Sequence, residues 1–415
     1  MNLASKHAQP EHIRPAIHPF LPYGRQVVEE DDIEAVAEVL RSDFLTTGPL
    51  ASRFEHALAA TVGSKNAVVC SSGTAALYMA ARALELGPGK TVIVPSVTFA
   101  ATASGPRLAG ANVVLSDVDP ATGLMRAEDL EEALSRAPRG RADAVFPVHY
   151  AGQCCDMKSI AALARARGMR IVEDAAHALG SALVEEGGAL TPAGANLRCD
   201  LTIFSFHPVK TVAMGEGGAV SANDPELLRR LRAARNHGIV RSPGEFVCSA
   251  RAFDSSGVPN PWYYEVEAPG FNFRVSDINC ALGLSQLKKL ARFVEHRRQL
   301  VTRYDQLLKP FSSAIHPLGR EKHSHTAWHI YPVRIDFASL KRERGSLMRA
   351  LTAEGIGTQV HYIPLHLHPA YAMEGLKLPG AESYYAETLS LPLHVGMSAS
   401  DAERVVRSLV RNLGL

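Results

Sequence analysis

Six short β-prone segments alternate with helix-like segments between residues 67 and 206. The β-prone segments are AVVC (67–70), TVIVP (91–95), NVVLSDVD (112–119), ADAVFPVHY (142–150), MRIVEDA (169–175) and DLTIFSF (200–206). This alternation predicts an α/β fold with a mostly parallel central sheet and helices on both faces. Such sheets bind ligands outside the carboxyl ends of their strands, so residues that follow strands are the first candidates for a site.

The alternation changes after about residue 285. A long charged segment (284–309) predicts a helix, followed by a strand (329–337), a helix (339–355), a second strand (356–363) and a final helix (399–414). We therefore expect a flexible N-terminal tail over residues 1–20, a large domain over 21–285 and a smaller C-terminal α+β domain over 286–415. Clefts between domains are common ligand sites.

Composition and charge argue against several classes of protein. The formal net charge is +2 and no long basic run is present, which disfavours nucleic-acid binding. No apolar run reaches the roughly 18 residues of a membrane-spanning helix, and the N-terminus lacks the apolar core of a signal peptide. Six cysteines without a CxxC pair are typical of a reduced, cytoplasmic protein. The adjacent Cys154 and Cys155 leave a redox role open.

The first candidate strand end is SSGT (71–74), a small polar turn between a strand and a helix. The first turn of a helix offers free N–H groups and a positive dipole end, which together favour a phosphate. Ser and Thr also make ordinary helix caps, so a capping turn explains the same residues.

The second strand end carries Asp174, with His177 three residues further on. Its apolar surroundings make an unpaired carboxylate costly, so Asp174 should have a cationic or donor partner. His177 would lie near the same face if a helix begins here. A helix cap with a neighbouring surface histidine is the alternative.

The third strand end carries Lys210, in the stretch FSFHPVK (204–210). A lysine removed from water has a lowered pKa and can form a Schiff base. Lysine can instead extend its ammonium group to water along an apolar surface. Phosphate donors, a carboxylate and an amine after separate parallel strands together match the needs of pyridoxal 5′-phosphate. Phe99, near another strand end, could stack on its ring.

These motifs resemble those of the DegT/DnrJ/EryC1/StrS family of nucleotide-sugar aminotransferases, over about residues 21–415. The segments that carry the resemblance are LTTGP (45–49), SSGTAAL (71–77), PSVTFAATA (95–103), VEDAAHALG (172–180), FSFHPVK (204–210), GEGGAV (215–220) and GFNFRVSDINCALGLSQL (270–287). The resemblance implies a fold-type I, pyridoxal-phosphate-dependent aminotransferase.

The resemblance also implies a set of site residues. Lys210 and Asp174 would be catalytic: Lys210 would form the Schiff base and move protons, and Asp174 would keep the ring nitrogen protonated. The cofactor-binding residues would be Gly73, Thr74, Phe99, Asp174, His177, Ser205, Lys210 and Asn272. Asn272 would reach the phosphate of the neighbouring protomer's cofactor, which implies a homodimer with shared active sites.

Within the family, the chain resembles the pseudaminic-acid branch most in four segments: 20–49, PWYYEVEAPGFNFR (261–274), QVHYIPLHLHPAY (359–371) and YYAETLSLPLH (384–394). This implies transfer of an amino group from glutamate to C4 of a UDP-linked 4-keto-6-deoxy-N-acetylhexosamine. Another nucleotide-linked keto-sugar (dTDP- or GDP-linked), or a non-catalytic regulator that binds the cofactor or a sugar nucleotide, remains open.

Two further features bear on the substrate. Ala213 and Met214 stand where many family members carry two threonines, so we expect hydroxyl contacts near the cofactor or sugar to be lost. His361, His366 and His368 could suggest a metal, but Pro364 interrupts them and no cysteine or carboxylate cluster lies beside them in the sequence. We expect at least one of these histidines to contact the sugar or its diphosphate instead.

Overall fold

The computed structural model describes residues 19–415. The predicted tail over residues 1–20 lies outside these residues, except for its last two. The helices of eight or more residues, with one short helix numbered among them, are α1 (Glu30–Leu40), α2 (Pro49–Val62), α3 (Gly73–Ala83), α4 (Ala101–Leu108), α5 (Ala127–Arg136), α6 (Met157–Ala166), α7 (Pro225–Arg235), α8 (Ser249–Ala252), α9 (Asp277–Lys288), α10 (Leu290–Leu308), α11 (Arg344–Ala353), α12 (Pro379–Glu387) and α13 (Ala399–Leu413). No helix within residues 19–415 is both long enough and apolar enough to cross a membrane.

The strands form one large sheet and three small ones. They are β1 (Asn66–Cys70), β2 (Thr91–Pro95), β3 (Asn112–Ser116), β4 (Ala144–Val145), β5 (Arg170–Asp174), β6 (Ala182–Val184), β7 (Leu190–Pro192), β8 (Leu201–Ser205), β9 (Gly218–Ala222), β10 (Ile239–Val240), β11 (Glu265–Val266), β12 (Ile315–Pro317), β13 (Ser324–His325), β14 (Tyr331–Ile335) and β15 (Thr388–Leu391).

The large sheet has seven strands in the order β1-β9-β8-β5-β4-β2-β3. Four parallel pairings join β8, β5, β4, β2 and β3, and β9 pairs antiparallel with both β8 and β1. Helices cover both faces of the sheet. The predicted α/β fold, with a mostly parallel sheet between helices, is therefore confirmed. All six predicted β-segments form strands of this sheet, with β4 reduced to two residues.

The antiparallel β9 was not predicted, and it fixes the position of Lys210. An antiparallel neighbour needs no crossover helix, so the chain can return directly from β8. Residues 206–217 therefore form a loop that stays beside the carboxyl end of β8. Lys210 lies in this loop, at the edge where parallel sheets bind ligands.

The C-terminal third contains a separate three-stranded antiparallel sheet, in the order β12-β14-β15. The predicted strand over 329–337 corresponds to β14, and the final predicted helix corresponds to α13. The predicted strand over 356–363 is wrong. Ile356 pairs with Leu21 and Gln359 pairs with Ser390 as isolated bridges, so this segment changes partner before a ladder can form.

The predicted long helix over 284–309 is two helices, α9 and α10, which meet at Lys289. Lys289 is only 8% exposed, and its Nζ lies 2.5 Å from Asp31 Oδ1, 2.9 Å from Asp32 Oδ2 and 3.1 Å from Glu29 Oε2. These salt bridges of Lys289 connect the start of α1 to the junction of α9 and α10. The expected domain boundary near residue 285 falls inside α9 and stays a prediction.

Candidate active site at the carboxyl ends of the parallel strands

A cavity of about 960 Å³ opens where β1, β2, β5 and β8 end. Residues that follow these strands line one part of the cavity, and His329 and residues 359–363, which lie outside the large sheet, line another part. Seven of the eight residues predicted for the cofactor site line this cavity: Gly73, Thr74, Phe99, Asp174, His177, Ser205 and Lys210. Asn272 does not line it. Asn272 is exposed, and its Oδ1 accepts a hydrogen bond from the Arg274 backbone N–H at 3.1 Å.

Asp174 ends β5 and is 3% exposed. The Thr102 hydroxyl donates to its Oδ2 at 2.7 Å, and the Ala176 backbone N–H donates to its Oδ1 at 3.0 Å. Burial raises the pKa of Asp174, while the Thr102 and Ala176 hydrogen bonds and the positive charge of Lys210 oppose that rise. Each carboxylate oxygen retains a free lone pair, so Asp174 can accept a further N–H bond from a group in the cavity.

Lys210 is half-buried, and its Nζ lies 3.4 Å from His329 Nε2. Burial lowers the pKa of Lys210 to about 8, although the negative charge of Asp174 partly offsets this effect. A lysine with this pKa has a substantial neutral fraction near pH 7.5 and can act as a nucleophile or a base.

The SSGT turn both caps a helix and leaves an anion site. Ser72 caps α3: its hydroxyl accepts from the Ala75 N–H at 3.1 Å, and its carbonyl accepts from the Ala76 N–H at 3.0 Å. The N–H groups of Gly73 and Thr74, at the start of the helix, are left for an anion. A Cβ on Gly73 would lie 2.9 Å from Ser205 Cβ, so only glycine lets α3 approach the end of β8 this closely.

His177 and His329 form a pair of buried imidazoles beside Lys210, with ring centroids 4.4 Å apart. His177 also lies 3.0 Å from the Tyr362 hydroxyl, through its Nε2. Burial holds the pKa of both histidines well below the usual value, and the positive charge of Lys210 adds to this effect. Sequence reasoning missed His329 and Tyr362 as site residues. The available signal was their position in two segments already singled out, 329–337 and 359–371.

The three histidines of the segment HYIPLHLHP lie in different surroundings. His361 and His368 line the cavity. His366 does not, because its Nδ1 lies 2.7 Å from Ser96 Oγ and its Nε2 lies 3.2 Å from Glu382 Oε1. Within residues 19–415, no three histidine, cysteine, aspartate or glutamate side chains are grouped to hold a metal ion.

The remaining residues singled out from the sequence pack in the core. Ala213 and Met214 are 2% and 0% exposed and do not line the cavity. A Cβ on Gly283 would lie 2.7 Å from Met214 Cγ, so Met214 packs against α9. Cys154 and Cys155 are free and fully buried, and burial raises the pKa of Cys154 to about 12. Thiols in this state are poor nucleophiles, which disfavours a redox role.

The donor set fits pyridoxal phosphate. The cavity presents an amine of lowered pKa, a buried carboxylate with spare acceptor capacity, and free N–H groups at a helix N-terminus beside Ser205. These are the groups that the aldehyde, the ring nitrogen and the phosphate require. Fold and site together define the class of fold-type I, pyridoxal-phosphate-dependent aminotransferases.

The model of the DegT/DnrJ/EryC1/StrS aminotransferase family matches residues 26–410, and the chain belongs to this family. The chain is 37% identical over 395 residues to the spore coat polysaccharide biosynthesis protein SpsC of Bacillus subtilis, with 94% of this chain and 96% of that protein covered.

The solved structures that match this chain include sugar aminotransferases. Helicobacter pylori PseC, an aminotransferase involved in the biosynthesis of pseudaminic acid, matches with a TM-score of 0.83 and 28% identity, covering 95% of this chain and 99% of that one. The pyridoxal-phosphate form of the putative sugar aminotransferase Spr1654 from Streptococcus pneumoniae matches with a TM-score of 0.82 and 29% identity, with the same coverage. The protein is a pyridoxal-phosphate-dependent sugar aminotransferase.

Proposed function

We propose that the enzyme transfers the amino group of glutamate to C4 of a UDP-linked 4-keto-6-deoxy-N-acetylhexosamine. The observation that carries this proposal is that residues 359–363 line the same cavity as Lys210. These residues belong to the segment (359–371) that resembles the pseudaminic-acid branch of the family. The likeness to PseC, at 28% identity, supports the same substrate.

Within this proposal, Lys210 and Asp174 are the catalytic residues. The bound cofactor supplies an aldehyde carbon that carries the amino group and a ring that withdraws electrons. Asp174 would accept a hydrogen bond from the ring nitrogen and so keep that nitrogen protonated. Lys210, with its pKa lowered to about 8, removes the α-proton of glutamate and later delivers a proton to the sugar carbon that receives the amine.

The other predicted residues hold the cofactor. The N–H groups of Gly73 and Thr74 and the Ser205 hydroxyl would bind its phosphate, at the positive end of α3. Phe99 lines the cavity and is 60% exposed, which leaves its face free to stack on the ring. His177 would lie beside the ring's phenolic oxygen.

Asn272 supports a homodimer with shared active sites. Its side chain is exposed and does not line the cavity of its own chain. We propose that it binds the phosphate of the partner's cofactor. The six free cysteines suit a reducing compartment, and we infer a cytoplasmic location.

The test is a panel of UDP-, dTDP- and GDP-linked 4-keto-sugars incubated with the holoenzyme and glutamate. Mass spectrometry should show the amine on the UDP-linked 4-keto-6-deoxy-N-acetylhexosamine, with an equal amount of 2-oxoglutarate. Amination of a dTDP- or GDP-linked sugar with no reaction of the UDP-linked compounds would overturn the substrate.

A second substrate is favoured by one observation. Identity to SpsC, named for spore coat polysaccharide biosynthesis, is 37%, against 28% for PseC. A different nucleotide-linked keto-sugar, destined for a polysaccharide, is therefore the alternative. The same panel distinguishes the two when each nucleotide is tested with more than one 4-keto-sugar.

A further inference from the structure

A directed chain of hydrogen bonds runs from the backbone through His177 to Tyr362. The backbone N–H of Ala151 points at His177 Nδ1 over 3.3 Å, and His177 Nε2 lies 3.0 Å from the Tyr362 hydroxyl. A backbone N–H can only donate, so Nδ1 must present its lone pair. In a neutral imidazole the proton then sits on Nε2, and His177 donates to the Tyr362 oxygen.

The surroundings of His177 keep its ring neutral. The ring is 6% exposed, it lies against His329, and the cation of Lys210 is close by. A second positive charge here would be unpaired in a site of low polarity, which is costly. The neutral ring, with its proton on Nε2, is therefore the form of His177 that fits its contacts with Ala151 and Tyr362.

This tautomer leaves the Tyr362 hydroxyl free to act as a hydrogen-bond donor. Its oxygen accepts from His177, so its own hydrogen is available to donate. Within the described part of the chain, the Tyr362 hydroxyl has no hydrogen-bond partner other than His177. Tyr362 lines the cavity, and burial raises the pKa of its phenol, which keeps the hydrogen in place. The free donor therefore belongs to a side chain that lines the space where ligands bind.

Neighbouring contacts hold both ends of this chain in place. Ala151 adopts φ +57°, and its carbonyl accepts from the His329 N–H at 3.0 Å. The Tyr150 hydroxyl donates to the His361 carbonyl at 2.6 Å, next to Tyr362 in the sequence. The turn at residues 150–151 therefore contacts His177, His329 and the segment that carries Tyr362. These contacts hold the hydrogen-bond chain, and with it the Tyr362 hydroxyl donor, in one orientation.

We propose that Tyr362 is a specificity residue that donates its hydroxyl hydrogen to an oxygen of the bound keto-sugar, and that His177 sets the direction of this hydrogen bond. The proposal rests on the proposed sugar amination in this cavity. The sugar is the preferred acceptor because Tyr362 belongs to the segment 359–363, which lies outside the sheet that supplies the proposed cofactor ligands. It lies beside Phe99 and Ile363, which are 60% and 42% exposed.

The first experiment measures the two half-reactions of the Tyr362→Phe holoenzyme separately, from the absorbance of the bound cofactor. The sugar half-reaction should lose about tenfold in kcat/KM, the effect of one neutral hydrogen bond, while the glutamate half-reaction stays within about twofold. Tyr371→Phe is the matched control: it removes a hydroxyl bonded to Ser104 Oγ at 2.7 Å, away from the cavity lining. It should leave both half-reactions unchanged.

An equal loss in both half-reactions would place the acceptor on the cofactor and overturn the proposal, as would no loss in either. The sugar arm uses whichever keto-sugar the wild-type enzyme aminates best. A wrong choice of sugar in the proposed function therefore leaves this test valid.

The second experiment does not depend on turnover. The ¹⁵N shifts of the selectively labelled His177 ring in the holoenzyme should report a protonated Nε2 and an unprotonated Nδ1 between pH 7 and 8. A ring protonated on Nδ1 would reverse the chain and overturn the proposal. In Tyr362→Phe the same tautomer should persist, because Ala151 alone is enough to select it.

Discussion

The Nζ of Lys210 lies 3.4 Å from Nε2 of His329, which links the loop after β8 to the segment that leads into β14. The two residues are 119 positions apart in the sequence. Burial keeps His329 neutral, so it can accept a hydrogen from the lysine and does not repel it. Among the described residues, no carboxylate forms a salt bridge with this amine, which suits a group that must act as a base.

Replacing Lys210 with alanine should abolish transamination and leave the fold intact, because the side chain is half-buried at a cavity wall and is not packed in the core. Circular dichroism and the Tm should match those of the wild type. Borohydride should fix the cofactor covalently on the wild type but not on the variant. Lys65→Ala, at an exposed lysine, is the control. Normal turnover by Lys210→Ala would remove this residue from its proposed role.

The lowered pKa of Lys210 predicts how cofactor binding depends on pH. With a pKa of about 8, about a quarter of the Lys210 amines are neutral at pH 7.5, against about a thousandth for an ordinary lysine. Covalent capture of pyridoxal phosphate by the apoprotein should therefore speed up as pH rises from 6.5 to 8, and level off above about pH 9. Stopped-flow absorbance measures this rate. A rate that still rises steeply above pH 9.5 would show an ordinary lysine pKa.

The hydroxyl of Thr102 should matter through Asp174, to whose Oδ2 it donates at 2.7 Å. In Thr102→Val this bond is lost, so the already raised pKa of Asp174 rises further and less carboxylate is available at a given pH. Hydrogen bonds to charged groups contribute about 1.5–3 kcal/mol, so kcat should fall about 10- to 100-fold. The acidic limb of the kcat–pH profile should also move to higher pH.

Thr102→Ser keeps the hydroxyl and should restore both the rate and the acidic limb. A valine variant with a lower rate but an unmoved limb would indicate a packing defect rather than an effect on Asp174.

Local sequence signals were sufficient for the parallel sheet and for the residues at its strand ends. Asp174 and Lys210 each follow a buried β-prone run, and parallel strands bring their carboxyl ends to one edge. The cavity residues outside the large sheet could not be deduced in this way. His329 and Tyr362 reach the cavity through tertiary packing of segments more than a hundred residues away, and the false strand over 356–363 shows that local β propensity misjudged that region.

The close approach of Gly73 to Ser205 predicts a selective defect in cofactor binding. In Gly73→Ala the new Cβ would lie 2.9 Å from Ser205 Cβ and 3.2 Å from its Oγ, so α3 and the end of β8 must separate slightly. This shift moves the N–H groups of the first helical turn away from the Ser205 hydroxyl, and both are proposed phosphate ligands. We expect the Kd for pyridoxal phosphate, from absorbance titration, to rise at least tenfold with little change in Tm.

Gly244→Ala is the control, because its Cβ would meet nothing within 4 Å and should leave the Kd unchanged. An unchanged Kd in Gly73→Ala would place the phosphate elsewhere in the cavity.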